Sequence, residues 1–252
     1  MSAPHLFIVT GSSRGLGAEL VAQLLKSDHC VIGIARGVNA DLADMVAERG
    51  ASLQQWQEDL SQPVAAAEHL ARWMAAAPTA FASATLINNA GMISRPGPVD
   101  ETSLAELSAA LRVGLEACLL ISSAFLRASQ GWACPKRILN VSSGLGRHAM
   151  AGSAAYCAAK AGMDHLSTAM SMDEALKRNG ARIVSLAPGV IDTDMQQQLR
   201  AGEAGAFPGR ERFVALHEQG QLTSPAAAAA RVLAYLDRAN FGAKVLADVR
   251  ET

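Results

Sequence analysis

Short runs of β-branched and other apolar residues recur along the chain, separated by segments in which apolar residues return every three or four positions. The short runs predict strands, and the segments with the longer period predict helices. The predicted strands cover residues 5–10, 30–35, 52–57, 84–89, 137–142, 181–186 and 243–247. The predicted helices cover residues 15–27, 39–49, 61–76, 101–129, 153–178 and 225–237.

The alternation of these elements predicts an α/β fold. Strands that alternate with helices are typical of a parallel sheet with helices on both faces, and several predicted strands are almost continuously apolar, as buried parallel strands are. We expect a doubly wound, Rossmann-type three-layer sandwich around a seven-stranded parallel sheet. No shift in composition marks a boundary, so residues 1–252 are expected to form one domain. The long polar segment 196–222 is typical of a mobile lid over a site.

Composition narrows the class of protein. Half of the 252 residues are hydrophobic, 18% are charged, and the formal net charge is −1. This balance gives no electrostatic reason to expect a nucleic acid or a membrane surface as a partner. The most apolar helical stretch, 113–126, is expected to be too short to span a bilayer, and no signal-like segment precedes the first strand. Neither the cysteines nor the histidines have metal-binding spacing, so a cytoplasmic protein with reduced thiols and no metal is expected.

The first strand leads directly into three glycines, Gly11, Gly15 and Gly17, which precede the first helix. A bound phosphate needs backbone N–H groups and a helix N-terminus, and side chains would block its approach. The spacing G-x-x-x-G-x-G differs from the common dinucleotide motif G-x-G-x-x-G. A glycine-rich turn with a purely structural role is the alternative, but the position between a strand and a helix favours a dinucleotide site.

Three further motifs lie at or after later strands: NNAG at 88–91, YCAAK at 156–160 and APGVIDTDM at 187–195. In addition, Ser143 in NVSSG lies thirteen residues before Tyr156. Together with the glycine turn, these motifs resemble the short-chain dehydrogenase/reductase family, and the resemblance covers essentially the whole chain in the family's order. Within that family the sequence is most similar to sepiapterin reductases and bacterial benzil reductases.

The chemistry of a reductase explains the residue types in these motifs. Tyr156 and Lys160 are four residues apart on a predicted helix and share one face. A lysine cation close to a phenol is expected to lower the phenol's pKa from about 10 towards neutrality. Tyr156 is then a general acid that protonates the oxygen of a carbonyl receiving hydride, and Ser143 stabilises that oxygen. Taken alone, Tyr156 is also interpretable as a packing residue, and Ser143 as a serine that caps a turn.

Two arginines predict the choice of cofactor. The second strand ends at Arg36, where an acidic residue would bind ribose hydroxyls and repel a 2′-phosphate. Arg14 offers a second guanidinium that we expect at the same phosphate, so NADPH/NADP⁺ is predicted over NADH; ordinary solvated surface charge is the alternative. The resemblance implies that the cofactor contacts Gly11, Ser12, Ser13, Arg14, Gly15, Leu16, Gly17, Arg36, Asp59, Leu60, Asn89, Ala90, Gly91, Tyr156, Lys160, Pro188, Gly189, Val190 and Thr193.

One residue of the family's usual constellation differs. In the family, an asparagine in the helix before strand five bends that helix, and its backbone carbonyl holds a water bound to the catalytic lysine. This sequence has Gly114 there. A glycine can also bend a helix and keeps the carbonyl, so our hypothesis is that Gly114 preserves the proton relay. A small residue needed for helix packing is the alternative.

The resemblance also implies a substrate class, a carbonyl in or beside a vicinal dicarbonyl. Sepiapterin reductases anchor the pterin through an aspartate near the C-terminus, and the matching segment here places Leu246 at that position, with Asp248 two residues on. Because an apolar side chain cannot hold a pterin edge, a more apolar dicarbonyl is expected. The candidate pocket residues, equally interpretable as core, are Met92, Ile93, Leu145, Met150 and Met195.

The sequence therefore predicts an NADPH-dependent carbonyl reductase that acts on a small-molecule carbonyl substrate. The resemblance implies a homodimer or homotetramer that associates through the long helices 101–129 and 153–178. One alternative is another enzyme of the family, which oxidises an alcohol. The other is a non-catalytic NADP(H) sensor, although such proteins tend to lose the tyrosine or the lysine.

Overall fold

The computed structural model describes residues 3–77 and 81–251. Residues 1, 2, 78–80 and 252 of the predicted 1–252 domain lie outside these ranges, and the prediction of one domain stays a prediction. Seven parallel strands form one sheet in the order β3-β2-β1-β4-β5-β6-β7. The strands are β1 His5–Thr10, β2 His29–Ala35, β3 Ser52–Gln57, β4 Ser83–Asn88, β5 Lys136–Val141, β6 Arg182–Ala187 and β7 Leu246–Asp248.

Helices connect the strands and cover both faces of the sheet. They are α1 Gly15–Leu24, α2 Ala40–Arg49, α3 Pro63–Ala76, α4 Leu104–Leu111, α5 Ala117–Ala128, α6 Ala154–Ala175, α7 Asp194–Arg200, α8 Arg210–Glu218 and α9 Pro225–Leu236. A π-helical turn, Arg112–Glu116, joins α4 to α5, and short 3₁₀ turns occupy Val99–Glu101 and Gly144–Gly146. The predicted doubly wound α/β fold with a seven-stranded parallel sheet is confirmed.

The alternation of side chains along the strands divides the core into two layers. In β1, Phe7 and Val9 pack with α1, α2 and α9 on one face. Leu6 and Ile8 point the other way and pack with α3, α5 and α6. Successive residues of a strand face opposite sides of the sheet, so an almost continuously apolar strand is what a sheet covered on both faces requires.

Most predicted bounds agree with the observed ones to within three residues, but three segments require correction. The last strand was expected at 243–247 but begins at Leu246, where the chain pairs with β6 through Ser185↔Leu246 and Ala187↔Asp248. The predicted helix 101–129 is divided by the π-helical turn. The segment 196–222 contains the end of α7 and all of α8, so it is largely helical.

The helical stretch Leu104–Ala128 is 25 residues long, with a mean hydropathy of 1.7 in its most apolar window. By length and composition it could cross a membrane, so the expectation that it is too short is wrong. Length and composition alone are weak evidence, because the core helix of a globular protein passes the same test. Here Ile121 and Phe125 are fully buried against the sheet and α3.

Candidate active site

A cleft of about 1230 Å³ opens along the carboxyl ends of the strands. Its walls include the turn after β1, the ends of β2, β5 and β6, and the segment after β4. The sheet reverses its direction of winding between β1 and β4. In open α/β sheets, ligands bind at this switch point, outside the carboxyl ends of the strands.

The glycine turn fits a phosphate group. Gly11 and Gly15 both have positive φ, +69° and +55°. A side chain at Gly17 would overlap the carbonyl oxygen of Gly11, so glycine is needed there for α1 to pack against the turn. At the N-cap, the Arg14 side chain makes no hydrogen bond to α1, and within the described residues the first turn of that helix holds no acidic group. The N–H groups at this helix end are therefore suited to an anion.

Asn89 fixes the turn from the neighbouring strand. Its Nδ2 donates to the carbonyl oxygens of Thr10 and Gly11 at 3.0 and 3.2 Å. The Thr10 hydroxyl in turn accepts hydrogen bonds from the backbone N–H groups of Asn89 and Ala90. The first half of the NNAG motif thus supports the glycine turn through the chain's own hydrogen bonds.

The structure brings almost all predicted cofactor residues to one cleft. Ser12 is the exception: it is 3% exposed, and a side chain at Gly33 in β2 would collide with its hydroxyl. The residues that line the cleft are Gly11, Ser13, Arg14, Gly15, Leu16, Gly17, Arg36, Asp59, Leu60, Asn89, Ala90, Gly91, Ser143, Tyr156, Lys160, Pro188, Gly189, Val190 and Thr193.

The two arginines predicted to bind the cofactor phosphate have different acidic neighbours. Arg14 Nη1 lies 2.7 Å from a carboxylate oxygen of Asp194, at the start of α7. Arg36 lies near Asp59, where hydrogen bonds from Ser61 lower the pKa of the carboxyl and Arg36 adds to the effect. The predicted convergence of both guanidinium groups on one phosphate thus requires Arg14 to leave Asp194.

Ser143, Tyr156 and Lys160 meet at the end of β5. Ser143 follows this strand, and its Oγ accepts a hydrogen bond from the Leu145 N–H at 3.2 Å. Tyr156 and Lys160 are one turn apart on α6. Lys160 Nζ donates to the Val141 carbonyl oxygen at 2.6 Å and lies 5.7 Å from the centroid of the Tyr156 ring.

The pKa values of these groups differ from the expectation. Burial raises the pKa of Tyr156, and the Ser143 hydroxyl acts in the opposite direction. Burial lowers the pKa of Lys160 to about 8, against opposing effects of Cys118 and Asp164. The prediction that Lys160 brings the tyrosine pKa towards neutrality is therefore wrong for this state, because the ammonium donates to Val141 and not to the phenol.

Gly114 lies in the π-helical turn between α4 and α5. In this turn, Ala117 N–H donates to the Arg112 carbonyl, so the helix bends where the family has its asparagine. A Cβ at Gly114 would lie 3.0 Å from the Cβ of Ala159 on α6. The bend and the close approach of α6 thus both account for a glycine, and the proton relay through its carbonyl stays a prediction.

Sequence reasoning missed a chain of buried amides behind the catalytic residues. Asn88 Nδ2 donates to Ser122 Oγ and to Asn140 Oδ1, at 2.9 and 2.8 Å. Asn140 Nδ2 donates to Ser167 Oγ at 2.8 Å. The available signal was that both asparagines occupy strand ends within the motifs NNAG and NVSSG.

The remaining wall of the cleft is largely apolar. It contains all five predicted pocket residues, Met92, Ile93, Leu145, Met150 and Met195. It also contains residues that the sequence did not indicate, among them His148, Gln196, Phe213 and Arg250.

The C-terminal strand corrects the assignment of Leu246. Leu246 does not line the cleft, whereas Asp248 does, because its pairing with Ala187 places it at the carboxyl end of β7. Two hydrogen bonds from the Arg250 guanidinium, at 2.8 and 2.6 Å, hold the Asp248 carboxylate and lower its pKa. The argument from an apolar residue at this position therefore does not hold.

Comparison with known proteins finds a matching family and relatives that align with most of the chain. Residues 5–204 match the family model described as short chain dehydrogenase. The benzil reductase ((S)-benzoin forming) of Bacillus cereus is 32% identical over 219 residues, 86% of this chain and 88% of that protein. The sepiapterin reductase of Mus musculus is 30% identical over 251 residues, 93% of this chain and 92% of that protein. A Beutenbergia cavernae structure with bound NADP is 26% identical, with a TM-score of 0.82, and covers 98% of this chain and 95% of that one.

Proposed function

Because the chain belongs to the short-chain dehydrogenase family, we propose that it is an NADPH-dependent reductase of a ketone in a vicinal dicarbonyl compound. The family membership makes the chain an oxidoreductase that uses a nicotinamide cofactor. The observation that carries the finer proposal is the meeting of Ser143, Tyr156 and Lys160 in the wall of one cleft with the glycine turn.

The proposed mechanism assigns proton transfer to Tyr156. A nicotinamide cofactor held along the glycine turn would supply a hydride to the carbonyl carbon. Ser143 donates a hydrogen bond to the carbonyl oxygen, and Tyr156 transfers its phenolic proton to that oxygen, which completes the alcohol. The raised pKa of Tyr156 keeps the phenol protonated at neutral pH. Lys160, with a pKa of about 8, is mostly protonated at neutral pH, and its cation lies beside the Tyr156 ring, where it would stabilise the phenolate that remains.

The proposal of NADPH over NADH rests on charge. Arg36 ends the second strand, and Arg14 lies in the glycine turn. Guanidinium groups bind phosphate oxygens by charge-assisted hydrogen bonds. The bound NADP of the Beutenbergia cavernae structure is consistent with this choice, which stays a proposal for this chain.

The proposed substrate class follows from the apolar wall of the cleft and from the printed activity of the Bacillus cereus relative. Methionine side chains adapt to flat apolar groups, as a diaryl diketone would present. A pterin is the second candidate, since Asp248 lies in the cleft wall. Its carboxylate is already bound by Arg250, which favours the less polar substrate.

We further propose a cytoplasmic homodimer or homotetramer formed by one folded domain. Exposed apolar side chains lie on the helices expected to associate, with Leu104 84%, Met172 67% and Leu176 88% exposed. Burying such side chains against a second copy is favourable. Sedimentation velocity of the purified protein tests this proposal, and a monomer at micromolar concentration contradicts it.

The reductase proposal is tested by the consumption of NADPH and NADH with benzil and sepiapterin, and by NADP⁺ reduction with simple alcohols. We expect NADPH oxidation with benzil, and a Tyr156→Phe variant that binds NADPH but loses about 10²–10⁴-fold in rate. Turnover only with alcohols would favour the oxidising enzyme. Unchanged activity of Tyr156→Phe would exclude the proposed proton donor.

A further inference from the structure

The catalytic helix carries a second buried charge, one turn beyond Lys160. Asp164 is 5% exposed. Its Oδ1 accepts hydrogen bonds from the hydroxyls of Ser142 and Ser185, both at 2.6 Å. Its Oδ2 lies 3.3 Å from Arg147 Nε. Burying a carboxylate is costly unless it is paired and hydrogen-bonded, and the mechanism above gives this one no role.

The donors to Asp164 come from the segments that surround the catalytic serine. Ser142 immediately precedes Ser143, and Arg147 follows the 3₁₀ turn that begins after it. Ser185 lies in β6. Arg147 also donates to the carbonyl oxygen of Ala247 in β7 at 2.9 Å. The Asp164 carboxylate thus connects α6 to the residues before and after Ser143. It also binds β6 directly through Ser185, and β7 indirectly through Arg147.

The turn after Ser143 packs very closely against α6. A Cβ at Gly146 would lie 2.9 Å from the Lys160 carbonyl oxygen and 3.1 Å from Asp164 Oδ2. Only a residue without a side chain allows this approach. The position of Ser143 relative to Lys160 is therefore set by a direct contact as well as by hydrogen bonds.

Asp164 also acts on the charge of Lys160. Lys160 Nζ contacts the Val141 carbonyl of β5, Met163 Sδ at 3.9 Å and the ring of Tyr156. The charges of Cys118 on α5 and Asp164 on its own helix act on it as well. Burial raises the pKa of Cys118 to about 12, so this thiol is neutral at pH 7, as is Tyr156. An ionised Asp164, one helical turn from Lys160, then supports the buried ammonium. Arg147 lies 3.3 Å from the other oxygen of this carboxylate.

We propose that Asp164 is a positioning residue which, together with Arg147, holds Ser143 against the catalytic helix and keeps Lys160 protonated during turnover. This inference rests on the proposed reductase function. It makes two opposite predictions, because Asp164→Asn removes a negative charge near Lys160 and Arg147→Met removes a positive one. A merely structural role would not move the titration of Lys160 in opposite directions.

The test is ¹³C NMR titration of the lysine Cε resonances, with Lys160 assigned by the loss of its signal in Lys160→Met. We expect the Lys160 midpoint to fall by about one pH unit in Asp164→Asn and to rise in Arg147→Met. The alkaline limb of the kcat profile for benzil reduction should follow the same shifts. In Asp164→Asn, kcat should fall by about tenfold to a hundredfold at pH 7. Asp44→Asn, an exposed carboxylate on α2, is the matched control and should leave both readouts unchanged.

Midpoints that coincide in all proteins, or that move in the same direction in both variants, overturn the inference. If Asp164→Asn does not fold, Arg147→Met decides alone, since Arg147 is partly exposed: a rise supports the inference and any other result overturns it. An inactive wild-type enzyme would contradict the proposed function, but the NMR titration needs no substrate and still decides the role of Asp164.

Discussion

The catalytic end of β5 and the flap, residues 193–222, both contribute to the wall of one cleft but are held by different interactions. Several buried side chains near the catalytic residues are polar: Asn140, Ser167 and Ser185 are fully buried and hydrogen-bonded. The flap instead contributes a small hydrophobic cluster, Leu199, Phe207 and Phe213, against which Ile93 and Met150 pack from outside the flap. Directional bonds hold a fixed geometry for chemistry, whereas we expect a small apolar cluster outside the two main clusters to open before they do.

The largest effect is expected for Lys160→Met, which tests the catalytic side of this comparison. Loss of the catalytic cation should lower kcat by about 10³-fold, yet the variant should unfold at higher denaturant. The pKa of Lys160 is about 8 when folded and about 10.4 when unfolded, so folding releases protons between these values. Below pH 8, burial of the cation therefore lowers the free energy of unfolding by the full amount, about 3 kcal/mol. This loss of stability becomes smaller as pH rises towards 10.4.

Methionine removes this cost but leaves the Val141 carbonyl without its donor, which offsets about 1 kcal/mol. Urea unfolding at pH 7 should thus give the variant about 2 kcal/mol more stability than wild type, with a smaller difference at pH 9.5. A variant less stable than wild type at pH 7 would contradict the view that the polar residues at the catalytic end of β5 serve catalysis at the expense of stability.

The sequence predicted the parts of the site that local spacing determines. Tyr156 and Lys160 share a helical face because they are four residues apart, and Ser143 is near them because parallel strands end at a common edge. Spacing could not indicate Asp164, since its partners Ser142, Arg147 and Ser185 come from separate segments of the chain. Nor could it fix the register of β7, a strand of three residues defined only by its pairing with β6.

The flap provides the second prediction, with an effect confined to one region. The Phe207 ring is fully buried, and side chains at Gly152, Gly202 and Gly209 would touch it. Phe207→Ala should cost about 3 kcal/mol within the flap cluster. We expect faster hydrogen exchange and proteolysis in residues 193–222 and a raised KM for benzil. The melting temperature of the core should change little.

The matched control is Phe241→Ala, which removes an equally buried ring from one of the two main clusters. It should lower the global melting temperature without selective exposure of the flap. Should Phe207→Ala instead lower the global melting temperature as much as Phe241→Ala, the flap would belong to the main cooperative unit and the contrast between the two walls would fail.

The smallest expected effect concerns the ion pair between the two sides of the cleft. Arg14 and Asp194 are 70% and 57% exposed, so their attraction is worth less than about 1 kcal/mol. In the proposed function, the cofactor phosphates compete with Asp194 for Arg14. Asp194→Asn should therefore lower the KM for NADPH by about twofold to fivefold, and the difference should decrease in 0.5 M salt, where the Debye length is about 4 Å.

The control is an Arg14→Gln background. There the same substitution should have no effect on KM, because the arginine for which Asp194 and the cofactor phosphates compete is gone. A higher KM for NADPH in Asp194→Asn would instead mean that this carboxylate assists cofactor binding. The Arg14–Asp194 ion pair would then persist in the complex and would not have to break when the cofactor binds.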